Sequence, residues 1–141
     1  MRNLLYSPTT LRTSAGLLVL RLIAGAALMQ HGWPKIQNPM HWMGDAVPGA
    51  LQACAALAEF GGGLAWILGL LTPLAALAVL VNMIVALNMV HIPHHDPMVA
   101  QGLKPSMEPA LLYLSIAFVL LLAGPGSVSV DRFLFGRRER Y

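Results

Sequence analysis

The chain has 141 residues, of which 57% are hydrophobic and 11% charged, against roughly 25% charged in an average soluble domain. Nine Lys and Arg against six Asp and Glu leave a net charge of +3, with no basic stripe interleaved with aromatics, which argues against a nucleic-acid partner. The single cysteine, Cys54, excludes an intramolecular disulfide and any CxxC zinc or redox motif.

A membrane span needs about 20 apolar residues, and four segments come near that length: 14–31, 49–71, 73–90 and 109–123. The first 13 residues carry Arg2 and Arg12, like the charged start of a signal peptide. The apolar run behind them is longer than such a peptide's core and has no Ala-x-Ala exit. It ends in His31-Gly32-Trp33-Pro34-Lys35 and reads as an uncleaved first span closing at a membrane boundary. The second segment holds Glu59 about midway. Only Thr72 separates the second segment from the third, which predicts a tight antiparallel hairpin. Pro73 and Pro109 suit first-turn positions, where a missing N–H costs nothing. The fourth segment stops at Gly124-Pro125-Gly126.

Basic residues set the direction. Arg2 and Arg12 precede the first span, and Arg132, Arg137, Arg138 and Arg140 follow the fourth. The loops over 32–48 and 91–108 hold only Lys35 and Lys104, so the positive-inside rule places both termini in the cytoplasm. Trp33 and Trp42 then sit at the outer interface. The predicted fold is all-α: one domain over 1–141, an integral membrane four-helix bundle with a basic cytoplasmic tail over 132–141.

A carboxylate in mid-span costs roughly 2.5–3.5 kcal/mol on insertion scales, so Glu59 should be paired or functional. Counting 1.5 Å per residue puts Arg21 about 10 Å deep, Asn82 about 13 Å and Glu59 about 15 Å. That predicts an Arg21–Glu59 ion pair with Asn82 as hydrogen-bonding neighbour. The pair could equally be a packing device, and Arg21 could instead snorkel to the headgroups. Gly61, Gly62 and Gly63 allow another helix to come close to the carboxylate.

The outer layer is richer. His31, His41, His91, His94 and His95 all fall there, with Gln30, Asn88, Glu108, Tyr113 and Cys54 within about two helical turns. Imidazoles with the nearby methionines could hold copper, and a His–Asp loop could hold zinc. His and Tyr at a membrane edge also suit a quinone headgroup, which needs hydrogen bonds to its carbonyls and a proton-handling group. Ordinary loop polarity is the plainest alternative. The His91-x-x-His94-His95-Asp96 spacing is a weak metal signal because Pro93 and Pro97 break helical geometry. No metal ligand is therefore assigned, with His41, His94 and His95 as the candidates should there be one. Cys54 reads as a small buried hydrophobe.

Arg21, His31-Gly32, Lys35, the Glu59-x-Gly61-Gly62-x-Leu64 stretch and Leu68-Gly69-Leu70-Leu71-Thr72 together resemble the DoxX family of small bacterial membrane proteins. The resemblance continues through 82–86, His91, Glu108, Tyr113 and Gly124-Pro125-Gly126-x-x-Ser129-x-Asp131. It implies a four-helix protein of the bacterial inner membrane. The family is similar to the small membrane subunit of thiosulfate:quinone oxidoreductase, and some members are linked to membrane redox complexes that handle thiols and superoxide. Many members have no established activity. Pro73 stands where the family often carries a basic residue, and the 40–43 and 94–95 segments fall outside its pattern.

The function expected on these grounds is a quinone-linked redox subunit or accessory protein of a membrane oxidoreductase complex. Glu59, His31 and His91 would handle protons, while Arg21, Lys35, Asn82, Asn88, Glu108 and Tyr113 would hold the ligand. The sequence carries no flavin, haem-attachment or iron–sulfur motif, which favours a subunit with a redox partner protein over a self-sufficient enzyme. The alternatives are a non-catalytic scaffold that anchors soluble redox enzymes through residues 131–141, or a copper or zinc protein. Lipids surround the bundle, and the glycine-rich second span would suit a homo-oligomer. Four spans without an internal repeat are few for an alternating-access transporter.

Overall fold

A computed structural model describes residues 10–102 and 104–135. Arg2 and the charged tail residues Arg137, Arg138, Glu139 and Arg140 lie outside the described residues. The chain forms α1 (Leu11–Gln37), α2 (Gly49–Leu68), α3 (Thr72–Ala86), α4 (Glu108–Ala123) and a short α5 (Val130–Phe135). It is a membrane helical bundle, and no strand occurs among the described residues. Three stretches, Leu11–Gln37, Gly49–Leu68 and Thr72–His91, are long and apolar enough to cross a membrane. At 16 residues, α4 is shorter, about 24 Å at 1.5 Å per residue.

Local chemistry explains where the helices begin and end. Thr10 caps α1, its side-chain oxygen accepting from the Thr13 N–H at 3.2 Å. The first helix does not stop at His31. It runs through Pro34 to Gln37, so the expected membrane boundary is not a helix boundary. Gly69 ends α2 in the left-handed region at φ 65°, and the N–H groups of Gly69 and Leu70 close back on Trp66 and Ala65. The hairpin turn is therefore 69–71, whereas Thr72, expected to be the turn itself, opens α3 with Pro73 in its first turn.

That turn contains Leu71 at φ 46°, unfavourable for a side chain with a Cβ. Asp131 compensates. Its fully buried carboxylate accepts from the Leu71 N–H at 2.6 Å and the Thr72 N–H at 2.8 Å, and its own N–H donates to the Gly69 carbonyl at 2.8 Å. A carboxylate at a helix N-terminus is doubly favoured, by hydrogen bonding and by the helix dipole. Because α5 docks through Asp131, that residue is not part of an exposed cytoplasmic handle, as the scaffold reading supposed.

The four long helices alternate in direction. Helices α1 and α2 form the tightest seam, α3 and α4 the next, and α1 and α4 pack more loosely than either. The core is apolar, with Leu28, Trp66, Val79, Ala117 and Leu120 fully buried. Outward-facing Val19, Ile23, Leu57, Leu74, Leu112 and Leu122 are exposed, as expected of a lipid-contacting flank.

Candidate functional site

Register between α1 and α2 decides which charges meet. A Cβ on Gly25 would lie 2.7 Å from the Gly63 carbonyl oxygen, and one on Gly32 would lie 2.5 Å from the Phe60 nitrogen. Gly25 therefore stands opposite Gly63, and Gly32 opposite Phe60. Arg21 is consequently level with the end of α2, about 16 Å along the axis from Gly32. The expected Arg21–Glu59 pair does not form.

Arg21 is instead a carbonyl clamp, 1% exposed. Its Nε donates to Trp66 O at 2.8 Å, Nη1 to Pro125 O and to Val128 O (3.0 Å), and Nη2 to Ile67 O at 3.3 Å. The last carbonyls of a helix have no intrahelical partner, and a guanidinium fork satisfies several at once. Arg21 thereby ties the end of α2 to the 125–128 loop.

Glu59 takes Lys35 as its ion-pair partner, Nζ to Oε1 at 2.5 Å. Asn82 Nδ2 donates to the same oxygen at 3.1 Å, the neighbour anticipated by depth. Lys35 also lies 4.6 Å from the Trp42 ring centroid, a cation–π distance. Glu59 Oε2 is buried and has no hydrogen-bond partner. Trp66 Nε1 and Thr72 Oγ1 share that status, but both lie toward the other end of α2 and α3.

The Glu59 group floors a cavity of about 570 Å³ between α2 and α3, walled by Leu51, Leu74, Leu77, Val81 and Val85. Trp42 and Lys35 cover its loop end. Cys54, expected to be buried, is exposed and lines this crevice. A buried Gln52 holds the covering loop in place. Its amide donates to Gly44 O and Val47 O (both 2.7 Å) and accepts from Met43 N–H at 2.8 Å, while its carbonyl accepts from Trp42 Nε1 at 3.0 Å. Sequence reasoning passed over Gln52, although a lone amide in an otherwise apolar first turn was the available signal. Asp131 was quoted only as part of a motif.

The expected outer mouth is divided. His31, Glu108 and Tyr113 line a second crevice of about 540 Å³ between α1 and α4, where the His31 and Tyr113 rings meet edge-on at 5.7 Å. Tyr113 is itself buried, 9% exposed. His91 joins neither crevice; its Nδ1 lies 2.8 Å from Asp96 Oδ2. Asn88 turns back to donate to Ile84 O at 2.8 Å, where α3 widens into a π-helical turn over Leu87–His91. Such turns relax the ladder and frequently mark functional sites. Arg21 lines neither crevice. His41, His94 and His95 join no group of three or more His, Cys, Asp or Glu side chains among the described residues, so the metal reading gains no geometric support there.

Comparison with known proteins identifies the family. The DoxX family model matches residues 16–92. The chain is 35% identical over 126 residues to the inner membrane protein YqjF of Escherichia coli strain K12, covering 84% of this chain and 92% of that protein. No solved structure matches. With more than half of its length under the family model and a relative of this closeness, the chain belongs to the DoxX family and is a multi-pass protein of the inner membrane.

Proposed function

We propose that this protein is a quinone-linked subunit of an inner-membrane oxidoreductase complex, with the α2–α3 crevice as its ligand site. One observation carries the reading. A buried carboxylate, held on one oxygen by Lys35 and Asn82, floors a cavity of about 570 Å³ whose walls are mainly aliphatic and include the exposed Leu74, Leu77 and Val81. Apolar walls with a few convergent polar groups are the usual form of a small-molecule site. Here the polar groups are Glu59, Lys35 and Asn82, suited to a headgroup with oxygen substituents, while the walls accept a lipid-soluble tail. A partner protein would exchange electrons with the bound ligand, and Glu59 is placed to hold or release a proton beside it.

The test is equilibrium binding of a short-chain quinone to the purified protein in nanodiscs. Binding in the micromolar range, weakened at least tenfold by Glu59→Gln, is the expected result. No saturable binding, or affinity untouched by the substitution, would reject the site.

A further inference from the structure

Resting on the crevice assigned above to the ligand, we infer that Gln52 is a positioning residue that seals its loop end, so that the site fills from the bilayer and not from water. Gln52 lies near the start of α2 and is 1% exposed. A glutamine side chain offers two amide protons and one carbonyl oxygen, and here all of them pair with the 43–47 segment. Nε2 donates to the Gly44 and Val47 carbonyls, and Oε1 accepts from the Met43 N–H. The Gln52 backbone carbonyl takes the indole N–H of Trp42. Gln52 lines the crevice yet has no amide proton left to offer a ligand.

The segment so held is the cover. Trp42, Met43 and Val47 line the crevice at the end where α2 begins. A Cβ on Gly49 would lie 3.0 Å from the Met40 carbonyl oxygen, so the loop closes tightly at its own base. Lys35 joins the cover to the floor, with Nζ 2.5 Å from Glu59 Oε1 and 4.6 Å from the Trp42 ring centroid. The flank differs, for Leu51, Leu74, Leu77 and Val81 line the same crevice and are exposed. Closed at the loop and bordered by exposed aliphatic side chains, the crevice admits molecules dissolved in hydrocarbon. Gln52 thereby sets specificity through Trp42 without touching the ligand.

Cys54 reports the route, being the chain's single cysteine, exposed, and part of the crevice wall. In nanodiscs, N-cyclohexylmaleimide, which partitions into lipid, should label the full chain at least tenfold faster than a sulfonated maleimide that stays in water, each rate being divided by that reagent's rate with glutathione. Gln52→Met should raise the sulfonated rate at least tenfold and the other less than threefold. General loosening of the bundle raises both rates alike, and that result would make Gln52 merely structural and overturn the inference. Equal labelling of the wild type by the two reagents overturns it as well, as does a sulfonated rate that Gln52→Met leaves unchanged. Should that variant not fold, Trp42→Ala removes the cover while keeping the Gln52 amide bonds, and the same selective rise is required of it. No outcome involves quinone, so this route and the quinone-linked reading fail separately.

Discussion

Replacing Arg21 by Met should cost about 3 kcal/mol of unfolding free energy, because it strands the buried Pro125 carbonyl, takes the guanidinium donors from the part-buried carbonyls of Ile67 and Val128, and leaves that of Trp66 with the Gly69 N–H alone. Each buried acceptor left without a donor costs about 1–3 kcal/mol, with partial relief as the chain relaxes. Methionine fills similar volume, so a lost cavity is not the cause. Arg21→Lys should recover less than half of the deficit, since an ammonium on a flexible stem cannot fork across two helix-end carbonyls and a loop. Unfolding by denaturing detergent, followed by helical circular dichroism, reads both values. A loss below about 1 kcal/mol for the Met variant would mean that the clamp contributes little.

The second large effect is expected at Gly63, where α1 and α2 approach backbone to backbone. A Cβ there would lie 2.6 Å from the Gly25 carbonyl oxygen and 2.9 Å from the Met29 nitrogen. Neither is a side-chain end that can swing aside, so Gly63→Val should destabilise by about 3 kcal/mol through forced separation of the helices. Two positions earlier, Gly61 meets nothing within 4 Å, and Gly61→Val should stay within about 0.5 kcal/mol of wild type. The same detergent titration compares them. Separation at Gly63 also displaces the seam that brings Lys35 to Glu59, so ligand affinity should fall with stability in one variant and not in the other.

The contrast between these glycines shows what the sequence could and could not convey. All three in 61–63 announced a close approach, yet only the register says that Gly63 meets α1, Gly62 meets Val79 of α3 and Gly61 meets no one. The Glu59–Asn82 contact was legible because α2 and α3 are joined by a tight turn centred near Leu70. Counting equal steps from such a turn pairs 59 with 81 or 82. Lys35 was harder to find. Arg21 and Lys35 are fourteen residues apart on α1, close to four full turns, and so face α2 alike. Periodicity cannot choose between them. Depth counting chose Arg21 because it began α1 at Ser14 and closed it at His31, whereas the helix spans Leu11–Gln37. Asp131 was beyond such reasoning altogether, since it caps a turn some sixty positions away in the chain. Composition was enough for the membrane class and the four-helix architecture, because burial of backbone polar groups in lipid leaves few alternatives. The side-chain constellation depended on axial register, which apolar runs define poorly.

In the proposed site, ligand meets Glu59 in the crevice between α2 and α3. A photoreactive short-chain quinone, cross-linked to the protein in native membranes and mapped by peptide sequencing, tests that placement directly. Labels should fall within 51–59 and 74–90, and excess unlabelled quinone should suppress them. Labels confined to the α1–α4 crevice, within 16–31 and 108–116, would contradict the account, as would labelling that unlabelled quinone leaves unchanged.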